Sequence, residues 1–151
     1  HLFVTSAHLS LSCRLIDARF PDYKAVIPVD NPYKLTINRG DLVSALRRVS
    51  IFANKTTNQV VLDINGNALQ ISAQDIDFSY EGKEMLSCQY SGEDMKIAFN
   101  AKLMVEMVGN LDGNEVQVEL STPTRAGIFR SMDKVENEEL LMLLMPLMVG
   151  V

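Results

Sequence analysis

Two segments of the chain share one pattern, a helix followed by several strands, and this repetition restricts the fold more than any other feature. In "LTINRGDLVSALRRVSIFAN" the apolar residues recur at helical spacing, and Asn38 is placed to cap the helix. The segment "MKIAFNAKLMVEMVGNL" has the same arrangement 62 residues later. That shift places Asn38 on Asn100, Leu42 on Met104, Ala45 on Met107, Leu46 on Val108 and Val49 on Leu111.

Strand patterns follow each predicted helix. "QVVLDIN" and "ALQISAQ", joined by a tight Asn65-Gly66-Asn67 turn, and "FSYEGKEMLSCQY" follow the first helix, and "EVQVELSTPTRAGIFRSM" follows the second. The sequence therefore predicts an internal duplication with a period of about 60 residues. Since one unit cannot cover its own helix and sheet, we expect an α+β fold with the sheet outside and both helices on one face.

The segment before the duplication differs in character. Residues 1–20 alternate with period two and predict a hairpin that turns near Ser6-Ala7-His8. "FPDYKAVIPVDNP" contains three prolines and no helical period, which indicates a linker or domain boundary.

Composition limits the class of protein. A chain of 151 residues with 47% apolar and 22% charged residues suits one globular domain. The net charge of −5 disfavours a tight, non-specific nucleic-acid binder but leaves room for a local basic face. The closing "MLLMPLMVGV" has no charge, yet it is too short, and too broken by Pro146, to cross a bilayer. Cys13 and Cys88 share no motif and are expected to be free thiols.

Convergent catalytic groups are not apparent in the sequence. It contains no phosphate loop, dinucleotide fingerprint or nucleophile elbow, and Asp75 and Asp77 are interpreted as a solvated loop edge. We therefore predict no catalytic residue, no metal site and no cofactor. Arg47, Arg48 and Lys102 lie off the apolar stripes of the helices. They form either a solvated face or a weak surface toward phosphates.

Three stretches resemble one family. "RLIDARFPDYKAVIP" (14–28), "YSGEDMKIAFNAKLM" (90–104) and the terminal "LLMPLM" are similar to the bacterial replicative sliding clamp, the beta subunit of DNA polymerase III. The resemblance covers essentially the whole chain but only the last third of the family's length. It implies that residues 1–20 are the last hairpin of the middle domain, 21–27 an interdomain linker and 28–151 the third domain.

The resemblance also implies a function and partners. The DNA clamp fold has strands outside and two helices on the inner face of each domain, and two subunits close a homodimeric ring around duplex DNA. The family is non-catalytic and cytoplasmic, and it confers processivity on the replicative polymerase. Arg47, Arg48 and Lys102 would then face DNA without reading its sequence, and Ile51, Phe52 and Glu84 would lie at the subunit joint.

A further implication is a pocket for short peptides of the polymerase, the clamp loader and repair polymerases. Carried over by position, its wall would comprise Pro21, Ala25, Val26, Asn100, Leu103, Thr124, Leu143, Leu144, Met145, Pro146, Leu147 and Met148. Pro146 is expected to end the strand pairing and turn the last residues outward. Ala25, Leu103 and Thr57 depart from the family pattern, which has a basic residue, a tyrosine and an aromatic at these positions. We therefore expect a more apolar pocket.

Two alternatives remain open at this point. A stand-alone peptide-binding module would not need the leading hairpin or the basic helix faces. A strand-rich enzyme domain would need an acid, base or metal constellation, and the sequence offers none.

Overall fold

The computed structural model describes residues 1–133 and 136–149. Its helices are α1 (Arg39–Val49) and α2 (Ala101–Gly109). Its strands are β1 (Leu2–Thr5), β2 (Ser10–Cys13), β3 (Tyr33–Asn38), β4 (Gln59–Asn65), β5 (Ala68–Asp75), β6 (Tyr80–Ser87), β7 (Gln89–Ser91), β8 (Met95–Asn100), β9 (Glu115–Leu120), β10 (Gly127–Ser131) and β11 (Met142–Leu144). Short 3-10 turns cover Tyr23–Ala25 and Ser50–Phe52.

Both predicted helices are present with the predicted caps. The Asn38 side chain accepts a hydrogen bond from the Asp41 amide at 3.0 Å, and Asn100 accepts one from the Leu103 amide at 3.1 Å. The apolar stripe of α1 is buried, and Met104 and Val108 are buried on α2. The longer helix has 11 residues, so no helix within the described ranges could span a membrane.

The helical units exchange their leading strands, which the sequence did not predict. We name two antiparallel sheets: sheet A has the order β6-β5-β4-β8, and sheet B has the order β11-β10-β9-β3-β7. The strand before α1, β3, thus pairs with β9 of the second unit, and β8 pairs with β4 of the first. The 62-residue shift superimposes β3 on β8. Neither unit can complete its sheet alone, because each depends on a strand from the other.

Matching backbone contacts fix this exchange where the helices begin. The Arg39 amide donates to the Asn114 carbonyl and the Ala101 amide to the Asn58 carbonyl, both at 2.8 Å. The Arg39 side chain adds a hydrogen bond of 2.7 Å from Nε to the Gly113 carbonyl. Arg39 is therefore bound to the loop after α2.

One core lies between the sheets and the two helices, which contact each other. Alternate residues of β4, Val60, Leu62 and Ile64, are fully buried. Phe99 of β8 and Phe129 of β10 join the two sheets in an edge-to-face pair with centroids 6.0 Å apart. Burying each such side chain contributes roughly 1.5–3 kcal/mol. The predicted α+β class, with the helices on one face, is confirmed.

The single strand predicted over "FSYEGKEMLSCQY" is wrong, because the chain changes sheets at Cys88. Strand β6 is the edge of sheet A, whereas β7 pairs with β3 at the edge of sheet B. Asn67 holds this first crossing, since its carbonyl accepts the Cys88 amide at 3.0 Å and its side chain accepts the Tyr90 amide at 3.2 Å. Cys88 is buried and Cys13 exposed, and both are free thiols as predicted.

A second crossing takes place at the end of the described chain. Strand β11 pairs with β10 in sheet B, and after Pro146 the Leu147 amide donates to the Ala98 carbonyl of sheet A at 2.8 Å. The expected outward turn is thus wrong for Leu147, which is half-buried. Proline lacks an amide and ends the first ladder, and the next residue pairs with the other sheet.

The leading hairpin is present, as predicted, and is separate from both sheets. Strands β1 and β2 pair only with each other, and the Ser6 amide donates to the Leu9 carbonyl across the turn. Residues 1–26 are all exposed. The following segment is fixed by buried Asn31, whose Nδ2 donates to the carbonyls of Glu119 at 3.0 Å and Ala126 at 2.9 Å.

Candidate functional site

Several predicted pocket residues meet where the chain end reaches α2. We call Met145–Val149 the terminal segment. Its Leu147 pairs with Ala98, two residues before Asn100, which caps α2 beneath exposed Leu103. Asn100 Nδ2 also donates to the Thr57 carbonyl at 3.1 Å. Asn100 therefore fixes the helix start and retains one N–H and one lone pair for a ligand.

The rest of the terminal run lies on sheet B. Leu143 and Leu144 pair with Ile128 and Gly127, and the exposed loop containing Thr124 leads into that same strand. Leu144 was predicted to be part of the pocket wall, but its side chain is buried in the core and is not exposed to a ligand. Leu143 is half-buried and can still contribute to a surface.

The predicted contribution of the linker involves no hydrogen bond to the terminal segment among the described residues. Pro21, Ala25 and Val26 are exposed, and no hydrogen bond joins them to the terminal segment in the described chain. Sequence reasoning missed Asn31, which fixes the segment after this linker beside the Thr124 loop. Its position between Asp30 and Pro32 gave no signal, because its partners are backbone carbonyls far along the chain.

The surface around this corner is apolar and adaptable. Met145 is 59% exposed, Met148 83% and Leu103 49%. Pro146 and Leu147 are half-buried between them. Methionine is flexible and polarizable, so these side chains can adjust to different apolar ligands.

Two open cavities lie elsewhere on the surface. A groove of about 480 Å³ on sheet A is lined by Asn54, Thr57, Gln59, Val61, Ser72, Ala73, Gln74, Ile76, Asp77, Glu81 and Val149. A second, of about 460 Å³, is lined by Asp112, Arg130, Ser131, Asp133, Glu138, Glu139 and Leu140. Neither cavity is lined by a predicted pocket residue, although Val149 brings the terminal segment to the first.

The predicted DNA-facing residues are exposed on the helices, but Arg48 has a partner. Its guanidinium forms a bidentate ion pair with the Glu84 carboxylate, in which Nε lies 3.1 Å from Oε2 and Nη2 contacts Oε1. The hydrogen bond with Glu84 raises the pKa of Arg48, and the same bond lowers the pKa of Glu84. Arg48 and Glu84, assigned to different surfaces from sequence, thus bind each other.

The exposed helix face has only a small positive surplus. Arg47, Arg48 and Lys102 carry positive charge on this face, and Asp41 and Glu106 carry negative charge on the same helices. The fourth cation of the helices, Arg39, is bound to the loop after α2. With Arg48 already paired, the attraction of this face for phosphates is weak and sensitive to salt.

The edge of sheet A, strand β6, carries charged residues but has a cluster of exposed apolar side chains beside it. Ile51 is 65% exposed beside it, and the ring of Phe52 lies over Gly82, where a Cβ would overlap it. Phe78 and Tyr80 are exposed and stacked, with centroids 5.9 Å apart. A strand edge with exposed apolar side chains favours pairing with another chain.

The candidate carboxylates form a turn. Asp75 is buried, contrary to the interpretation as a solvated edge, and it accepts the Asp77 amide at 3.1 Å. Within residues 1–133 and 136–149 no group of three or more His, Cys, Asp or Glu side chains is arranged to hold a metal.

Comparisons with known proteins agree with this geometry. Residues 24–148 match the family described as "DNA polymerase III beta subunit, C-terminal domain". The beta sliding clamp of Treponema pallidum is 30% identical over 97% of the chain and 41% of its own length. The chain thus spans less than half the length of this relative.

Solved structures show the same fold. A sliding clamp (DNA polymerase III subunit beta) from Bartonella birtlesii, bound to griselimycin, has a TM-score of 0.82 and 34% identity over 89% of this chain and 35% of its own. The DNA polymerase III beta subunit from Thermotoga maritima has a TM-score of 0.87 and 26% identity over 98% and 39%. The chain belongs to the DNA polymerase III beta subunit family, the beta sliding clamps, and matches its C-terminal domain.

Proposed function

We propose that this chain is the C-terminal part of a ring-forming processivity factor that encircles duplex DNA and binds replication proteins through a peptide pocket. Residues 1–20 belong to the preceding domain, 21–27 to a linker and 28–151 to the third domain. The observation that carries the proposal is the apolar corner where the terminal segment is paired beside the start of α2. The assembled protein acts without catalysis of its own.

The helix face supports sliding on DNA. A factor that moves along a duplex must not bind bases, and a small surplus of charge supplies attraction without sequence preference. Arg47 and Lys102 are the exposed cations available for this role, and Arg48 supports it from within its ion pair with Glu84. The ring, not this attraction, would retain the protein on DNA.

The β6 edge supports assembly. Its unpaired backbone, with Ile51, Phe52 and the stacked Phe78 and Tyr80 beside it, would pair with a strand edge of another subunit in the homodimer. Glu84 lies on this strand, and its pairing with Arg48 connects the joint to the DNA-facing helix.

The pocket would bind short peptides of the polymerase, the clamp loader and repair polymerases. Met145, Met148 and Leu103 offer an apolar surface, and Asn100 offers an amide beside them. Anchoring two apolar side chains contributes roughly 3–6 kcal/mol before ordering costs, which corresponds to a Kd of about micromolar for a free peptide.

A titration tests the pocket directly. A fluorescent peptide with a glutamine and a Leu-Phe end should bind the intact chain but not a chain that ends at Leu144. A chain that ends at Met148 is the matched control and should retain binding. All three should melt alike by circular dichroism, because the exchanged-strand core lies upstream of Met145. Equal affinity of the intact chain and the chain ending at Leu144 would exclude the terminal segment as a pocket wall.

A further inference from the structure

Because the fold is duplicated, the pairing of the terminal segment with β8 can be compared with the pairing of β7 with β3. Strands β3 and β8 are equivalent in the duplication: β3 lies between β9 and β7, and β8 lies between β4 and the terminal segment. The 62-residue shift places Thr36 on Ala98. Thr36 is paired with Gln89 of β7, and Ala98 is paired with Leu147. The terminal segment is therefore the counterpart of β7 in the second unit.

The two counterparts differ in how many bonds hold them. Strand β7 forms three residue pairs with β3, and Asn67 accepts the amides of Tyr90 in β7 and of Cys88 just before it. The terminal segment has one bridge, in which the Leu147 amide donates to Ala98. Pro146 has no amide to donate, and in an antiparallel ladder the amide of Met148 points away from β8.

We propose that the Leu147–Ala98 bridge positions the terminal segment for peptide binding, so that the pocket exists only while this bridge is closed. The inference rests on the proposed function. The bridge lies two residues before Asn100, so it fixes Met145 and Met148 relative to the capped start of α2. An open bridge would leave the two exposed methionines without a fixed position, and a peptide would have to order them on binding.

Gln59 acts with the bridge as a second positioning residue. Its Nε2 lies 3.5 Å from the Met148 carbonyl, and its backbone is paired with Asn100 on β8. The terminal segment is thus fastened from β8 by one backbone bond and from β4 by one long side-chain contact. The Gln59 contact is exposed to water, whereas the bridge joins half-buried Leu147 to fully buried Ala98. Since only these two contacts fasten the segment, it can open while the strand pairs of the core stay in place.

A pair of proline variants separates the bridge from the side chains. Leu147→Pro removes the amide that donates to Ala98 and keeps an apolar side chain. Val149→Pro introduces the same ring two residues later and keeps both pocket methionines, and no hydrogen bond from the Val149 amide is present in the described residues. The probe is the fluorescent peptide with a glutamine and a Leu-Phe end, and the readouts are its Kd and the melting temperature of each chain.

The expected result is a Kd about tenfold higher for Leu147→Pro and within about twofold of the intact chain for Val149→Pro. The melting temperatures should be unchanged. Equal affinity of Leu147→Pro and the intact chain would overturn the inference, and so would an equal loss in both variants. A peptide that fails to bind even the intact chain would instead refute the pocket itself, and the inference with it.

Discussion

The two crossings between the sheets have the same topology but differ in how firmly they are held. The first, from β6 through Cys88 to β7, is buried at Cys88 and held by three residue pairs and Asn67. Burial there raises the pKa of the Cys88 thiol and so keeps it neutral and unreactive. The second, from β11 through Pro146 to Leu147, has one bridge and two exposed methionines.

This difference shows how a duplicated fold can serve two purposes. The first crossing is part of the core, because buried Cys88 lies in it. It also fixes β7, the strand that leads directly into β8 of the second unit. The second crossing is held by one bridge and exposes two methionines, so its residues can form an adaptable surface. In our account the duplicated connection that stabilises one half supplies the binding surface of the other.

The largest expected effect comes from breaking the first crossing. Tyr90→Pro removes the amide bonded to Asn67 and the packing against Tyr33, whose ring centroid is 6.5 Å away. We expect a loss of about 3 kcal/mol in the free energy of unfolding. Leu147→Pro, which removes the bridging amide of the second crossing, should cost less than about 0.5 kcal/mol. Urea denaturation of both variants measures this contrast, and similar losses would show that the crossings are equally structural.

A smaller effect separates the two helix caps. Asn38→Ala should lower the free energy of unfolding by about 1 kcal/mol, because the cap of α1 is lost. Asn100→Ala should lower it by roughly 2 kcal/mol, because Asn100 also donates to the Thr57 carbonyl. Aspartate keeps the acceptor but loses the donor. It should therefore restore stability at position 38 and only part of it at position 100. If aspartate fully restored the free energy of unfolding at both positions, the hydrogen bond from Asn100 to the Thr57 carbonyl would contribute nothing to stability.

The smallest expected effect is the pH dependence that the Arg48–Glu84 ion pair gives to the free energy of unfolding. The second unit has no equivalent ion pair within the described residues. The hydrogen bond from Arg48 holds the pKa of Glu84 below its ordinary value of 4.5. The pair therefore stabilises the fold above that value, and its contribution is lost as the pH falls through the lowered pKa. Both Glu84→Gln and Arg48→Gln should flatten the stability profile below about pH 4.5. An unchanged profile in either variant would mean that the pair contributes no stability.

The sequence predicted the elements whose signals are local. Helical spacing and the caps at Asn38 and Asn100 located both helices, and the Asn65-Gly66-Asn67 turn located β4 and β5. The exchange of β3 and β8 was missed, because pairing between distant segments leaves no local pattern. Alternation continues through Cys88, so the change of sheet there was also invisible.

The candidate site was predicted mainly from family resemblance. That resemblance placed Asn100, Leu103 and the terminal segment together, and the structure brings them to one corner. It could not reveal that Leu144 is buried in the core or that Arg48 and Glu84 bind each other, because both depend on packing between distant residues. Ala98 and Gln59, which hold the terminal segment, act through a backbone carbonyl and a long amide contact and gave no sequence signal.

Amide hydrogen exchange of the free chain tests the central contrast most directly. Our account predicts that the amides of β7 exchange only with global unfolding, whereas the Leu147 amide exchanges through local opening at least about a hundredfold faster. The same spectra should show the β8 amides that pair with β4 protected like β7, which excludes a general loosening of sheet A. Equal protection of Leu147 and β7 would contradict the account, because the second crossing would then be as firmly held as the first.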